Sequence, residues 1–133
     1  MHTGSCLCGQ ITYEYHGEIH ELSRCYCHQC QKAQGGAFVA VAPVDARRFT
    51  LTAGRSCLKT FSASPGKVRA FCGECGSPLY SARDDLPEVL RLRVGTLDTP
   101  LRVNQQVHAF TDDRPLWYEI LDDYPQYPGK RPA

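Results

Sequence analysis

Seven of the eight cysteines in this 133-residue chain fall into three tight groups. "CLC" supplies Cys6 and Cys8, "CYCHQC" supplies Cys25, Cys27 and Cys30, and "CGEC" supplies Cys72 and Cys75. Such short spacings let two thiolates from one turn reach the same ion, as in zinc knuckles and ribbons. Glycine follows or interrupts two of the groups, at Gly9, Gly73 and Gly76. Positive φ there would let the turn wrap a metal and aim N–H groups at sulfur. Two pairs make four ligands, so Cys6, Cys8, Cys72 and Cys75 are expected to close one structural Zn²⁺ site, tying the start of the chain to its middle.

The trio is then left with three thiolates and a vacancy. Sites with three protein ligands and an exchangeable fourth position tend to be catalytic, whereas closed sites tend to be structural. A second reading stays open beside this one. His28 or the distant His108 would close the trio as another inert staple, although His28 lies between two ligands and its ring is poorly placed to turn back onto the same ion. The expected content is two Zn²⁺ per chain. The remaining thiol, Cys57 in "RSCLKTF", reads as a small buried hydrophobe within a strand.

The elements that must position these groups alternate with period two. "QITYEY" places Ile11, Tyr13 and Tyr15 on one face, and "LRLRV" places Leu90, Leu92 and Val94 opposite Arg91 and Arg93. Residues 37–44, 48–52, 56–64, 67–71 and 104–110 read as further strands. Between them stand turn residues such as Gly54, "SPG" 64–66 and "DDLP" 84–87. Helix is scarce: "CQKAQGG" is expected to make one turn after the trio, and 114–121 a short helix or strand. The expectation is a mostly β single domain, residues 1–123, of eight to ten short antiparallel strands stapled by zinc. Residues 124–133, with three prolines, read as an irregular tail.

With 42% hydrophobic and 22% charged residues the chain reads as a folded domain. A formal charge of +1 without a basic run points away from nucleic acid and anionic membranes. No basic-then-apolar leader and no membrane-length apolar run is visible, so a cytoplasmic location is expected, where clustered thiols bind metal more often than they form disulfides.

Five stretches in order then resemble the glutathione-dependent formaldehyde-activating enzyme family, which also includes centromere protein V. They are "GSCLCGQITYEY", "CYCHQCQKAQGGAF", "FCGECGSPLY", "VGTLD" (94–98) and "HAFTDDRPLWYEILDDYPQY" (108–127). The resemblance implies a complex β fold with a structural zinc on Cys6, Cys8, Cys72 and Cys75 and the activity-linked zinc on Cys25, Cys27 and Cys30. It implies a carbon–sulfur lyase that joins an aldehyde, formaldehyde in the named reaction, to a glutathione-like thiol, giving an S-hydroxyalkyl adduct. Many members carry His after the first trio cysteine; here that place is Tyr26.

The chemistry of an open site agrees with this implication. Zn²⁺ with three thiolates carries about −1 charge and is a weak Lewis acid, which favours capture of a thiol over strong carbonyl polarisation. Tyr26, His28 and a zinc-bound water are the candidates for moving the proton. Arg24, Lys32 and Arg69 are candidates for binding carboxylates, set against a plainer role as solvated charges. Gly35 and Gly36 would let backbone approach a ligand or simply turn the chain. Trp117, the only tryptophan, is expected to pack in the core.

Overall fold

Burial of alternate residues builds the sheets as the pattern requires. Ile11, Tyr13 and Tyr15 are 0–3% exposed, so the strand that carries them turns its aromatic face wholly inward. The computed structural model describes residues 1–132. In it ten strands and one α-helix follow in order: β1 (His2–Ser5), β2 (Thr12–Tyr15), β3 (Glu21–Cys25), α1 (His28–Gln34), β4 (Val39–Asp45), β5 (Phe49–Ala53), β6 (Leu58–Ser64), β7 (Lys67–Cys72), β8 (Pro78–Arg83), β9 (Val89–Arg93) and β10 (Gln105–Ala109). The mostly β expectation holds, and the strand count reaches the top of the expected range.

Two sheets form. A three-stranded sheet has the order β1-β2-β5, and a seven-stranded sheet the order β10-β3-β4-β9-β8-β7-β6. The main core lies between them, where Tyr13, Tyr15 and Ile11 meet Ala42, Val44, Leu79 and Leu92. The Tyr13 hydroxyl is not stranded by burial, because it hydrogen-bonds the Thr96 hydroxyl at 2.7 Å. Three strands lack a clean sequence signal. β1 ("HTGS") has no apolar residue, β3 ("ELSRC") buries residues on both faces, and β8 ("PLYSAR") buries a serine beside its leucine.

One pairing departs from the all-antiparallel expectation: β10 lies parallel to β3, with Ala109 opposite Cys25 and Gln105 opposite Glu21. Parallel neighbours need a long crossover. Here nearly the whole intervening chain supplies it, from α1 through β9, so β10 returns in the same direction as β3. The C-terminal segment then runs along the other side of β10. His108 N–H donates to Pro125 O, Tyr127 N–H to His108 O, and Phe110 N–H to Gly129 O. Residues 124–132 are irregular, yet this part of the chain covers an edge that would otherwise offer unpaired backbone groups.

Other local expectations change. α1 starts at His28, inside the trio, and makes about two turns. Cys27 is its N-cap and Gly35 closes it at φ 72°. Cys57 is not mid-strand; it ends a 3₁₀ turn (Arg55–Cys57), half-buried, with its Sγ–H donating to Gln10 Oε1 at 3.1 Å. Residues 114–121 are neither helix nor strand, and Trp117 is 72% exposed rather than in the core. Pro115, which lacks a donor, denies the start of this stretch one of the backbone bonds of a regular element. Among the described residues, no helix is long and apolar enough to cross a membrane.

Candidate metal centres and the basic face beside one of them

Cys6 and Cys8 sit on the turn between β1 and β2, and Cys72 and Cys75 on the turn between β7 and β8. Each turn is closed by a glycine with positive φ, Gly9 at 80° and Gly76 at 80°. Gly9 N–H donates to Cys6 O and Gly76 N–H to Cys72 O. Gly73, in contrast, does not take positive φ; its N–H donates to Cys57 O at 2.7 Å. Leu7 N–H reaches Ser77 Oγ at 2.8 Å and stitches the two turns together.

The four Sγ atoms lie within 4.8 Å of one another. Cys6 and Cys8 are 3.5 Å apart, and Cys8 and Cys72 are 3.8 Å apart. A tetrahedral ion with Zn–S bonds of about 2.3 Å sets its sulfurs about 3.8 Å from one another, whereas a disulfide needs about 2.05 Å. All eight cysteines are free thiols. Ile11 N–H also points at Cys6 Sγ, at 3.3 Å, as expected around a thiolate. The geometry fits a closed four-thiolate zinc site.

Cys25, at the end of β3, joins Cys27 and Cys30 of the α1 start in a second cluster, again within 4.8 Å. Cys27 Sγ accepts the Cys30 N–H at 3.4 Å and thereby caps the helix. The cluster packs on Val39 and Val41 of β4. Among the described residues no imidazole or carboxylate joins it. It fits a metal held by three thiolates.

Neither histidine considered as a fourth ligand closes this cluster. His108 is 1% exposed and committed elsewhere. Its Nδ1 meets the Tyr26 hydroxyl at 2.8 Å and its Nε2 meets Asp122 Oδ1 at 2.9 Å. Tyr26 is fully buried, packed near Phe38 and Tyr118, and burial pushes its hydroxyl up to about 12. His28 is largely exposed, 3.6 Å from Asp113. Gln31 links α1 to the chain around it, its Nε2 donating to Tyr26 O and Asp113 O.

The arginines expected near the site divide. Arg24 lies on the other face of β3, donating to Gln106 Oε1 with its guanidinium over Tyr124. Lys32 is exposed. Arg69 reaches the trio, its Nη2 3.8 Å from Cys30 Sγ. Thiol hydrogen bonds from Cys25 and Cys27 hold Cys30 far below the ordinary thiol range, and Arg69 adds to the effect.

Strand register adds Ser81, Arg91 and Arg93, which carried no functional expectation. Directly opposed residues share a face. Cys25 stands opposite Val39, Ser23 opposite Val41, and Val41 opposite Arg93. One row on, Pro43, Arg91, Ser81 and Arg69 stand opposite one another in turn. Arg93 is 5% exposed and Ser81 1% exposed; Arg93 Nη1 donates to Ser81 Oγ at 2.9 Å and to Arg91 O at 3.1 Å. Burial brings Arg93 down to about 10, opposed by the nearby Cys30. The alternation of "LRLRV" carried half of this signal. It showed that Arg91 and Arg93 share a face but not what covers that face. A surface cleft of about 660 Å³ elsewhere is lined by Met1, Tyr15, Glu18, His20 and Arg48 among others, and by no thiol, so its size does not mark the reactive site.

Two cysteine clusters able to hold a metal ion, one of four thiols and one of three, in a two-sheet β domain define the class of protein. The description Glutathione-dependent formaldehyde-activating enzyme matches residues 1–113, and the chain belongs to that family. A crystal structure of a Rhodobacter sphaeroides protein is similar in fold, with a TM-score of 0.64 at 20% identity, covering 74% of this chain and 90% of that one.

Proposed function

We propose that the chain is a zinc-dependent carbon–sulfur lyase that forms or cleaves an S-hydroxyalkyl thiol, as in S-(hydroxymethyl)glutathione, from an aldehyde and a glutathione-like thiol at the Cys25, Cys27 and Cys30 site. The observation that carries the reading is the asymmetry of the two clusters. Cys6, Cys8, Cys72 and Cys75 satisfy a tetrahedral ion with protein donors alone, whereas the trio offers three. Zinc bound by the trio would supply the positive charge that favours the thiolate form of an incoming thiol.

The protein's own residues do the rest. Cys25 from β3 and Cys27 and Cys30 from α1 hold the centre against Val39 and Val41, so that thiol and aldehyde are brought together on one rigid wall. Sulfur attacks the carbonyl carbon, the C–S bond forms, and the carbonyl π pair becomes an oxyanion that takes up one proton. The proton lost by the thiol balances it. His28, beside Cys27 and exposed to solvent, is the better proton carrier of the two side-chain candidates. The Tyr26 hydroxyl is enclosed and engaged with His108.

The deciding measurement is two-dimensional exchange NMR of glutathione with formaldehyde, with and without the zinc-loaded protein. Accelerated exchange between free thiol and adduct supports the reading. An exchange rate unchanged by protein removes this substrate pair.

A further inference from the structure

Resting on the lyase reading, we infer that Lys67, Arg69 and Arg93 form an anion seat beside the trio that receives a carboxylate of the thiol substrate. The three come from β7 and β9, and register puts them on the trio's face of the large sheet. Arg69 reaches Cys30 Sγ directly. Lys67 is two residues along the same strand, and Arg93 lies opposite Val41, on which Cys30 packs.

The argument is one of charge balance. Burying a cation without a partner is costly. Yet among the described residues none of the three has a carboxylate within ion-pairing distance. Arg83, opposite Lys67 on this face, shows the contrast, since Asp85 pairs with it at 2.6 Å. Arg93 makes do with a hydroxyl and a carbonyl, and Arg69 Nη1 is buried with no partner at all. A zinc held by three thiolates carries about −1 charge, which balances only one of the three cations. Two positive charges remain, and Arg91 continues the same face. A thiol that docks its sulfur at the trio and carries a carboxylate can neutralise them, whereas a neutral thiol leaves Arg69 Nη1 unpaired. Charge-assisted guanidinium–carboxylate bonds are worth about tenfold or more in affinity.

The test measures binding apart from turnover. S-methylglutathione keeps both carboxylates but cannot bind metal through a thiolate, and its diethyl ester lacks the carboxylates. Calorimetric titration of the zinc-loaded protein is expected to give at least tenfold tighter binding of the acid than of the ester. Arg69→Gln should erase most of that difference, and Lys67→Gln, which does not touch sulfur, should reduce it about threefold. In the exchange assay Arg69→Gln should raise KM for glutathione about tenfold, and KM for 2-mercaptoethanol, which has no carboxylate, by far less. Equal binding of acid and ester, or no binding of either, overturns the seat. So does zinc loss in Arg69→Gln together with unchanged affinity in Lys67→Gln, which assigns Arg69 to metal retention alone. Carboxylate-dependent binding without accelerated exchange would instead leave the seat standing and remove the reaction.

Discussion

Cys27 holds two roles in one side chain: a sulfur of the trio and the N-cap of α1. That coincidence makes Cys27→Ser an unusually clean probe, because serine is among the best N-caps and keeps the helix start intact. The substitution is expected to reduce aldehyde–thiol exchange to the uncatalysed rate while the melting temperature shifts by only a few degrees. Cys72→Ser removes a fully buried sulfur at the end of β7 that lies 3.8 Å from Cys8 on the β1–β2 turn. It should lower the melting temperature by about 10 °C or more, since structural zinc binding is itself folding free energy. If both variants melt alike, far below the parent, the division between a structural and an open centre is wrong.

Among the elements, the turns that present sulfur are the most constrained. Gly54, between β5 and the 3₁₀ turn leading to Cys57, has φ 81°, and a Cβ there would lie 2.1 Å from Gln10 O. Gln10 belongs to the loop that closes on Cys6 and Cys8. Gly54→Ala therefore combines a left-handed backbone with a collision against main chain, and a loss of at least about 2 kcal/mol is expected by urea unfolding. Stability equal to the parent would mean that the loop gives way at no cost.

At the scale of the element, too, register explains what alternation alone leaves undecided. Tyr13 and Tyr15 were correctly read as one face of β2, because the small sheet has one buried side. In β9 the same period two was present, but both sides are covered: Leu92 faces the core and Arg93 faces the trio's side, each at most 5% exposed. A charged residue at an alternate position reads as solvent-facing until the neighbouring strand is known.

For the whole molecule, one cysteine cluster and one strap hold the ends in place. Cys6 and Cys8 on the first turn meet Cys72 and Cys75 on the β7–β8 turn. The C-terminal segment binds β10, which in turn pairs with β3 and the trio. Deleting 124–133 would strip acceptors from the N–H groups of His108, Phe110, Thr111 and Asp112. At a net value of about 1 kcal/mol per bond, a loss of about 4 kcal/mol is expected, together with faster amide exchange in β10. Unchanged β10 protection would refute the strapping role.

Metal content gives the second test at this scale. Two Zn²⁺ per chain are expected by elemental analysis, with the trio's ion removed by mild chelation before the enclosed one. Ligand thiols must be deprotonated, so affinity at both centres falls as pH falls, and zinc release should begin at the trio on acidification. Simultaneous release of both ions would contradict the asymmetry.

The order and spacing of the cysteines sufficed by themselves to indicate three groups able to hold metal, because ligands supplied by one turn are local in sequence; the family resemblance needed five stretches, two of them without cysteine. Strand alternation sufficed for the class of fold. Which distant pairs would share an ion was only expected from the count of ligands, and His108 was still available to the trio. Only the tertiary structure engaged His108 with Tyr26 and Asp122, laid β10 parallel to β3, left Trp117 in solvent and gathered Lys67, Arg69 and Arg93 beside Cys30. These outcomes depend on contacts between residues tens of positions apart. Such contacts follow from sheet register and from the need to satisfy every buried polar group, neither of which a local pattern encodes.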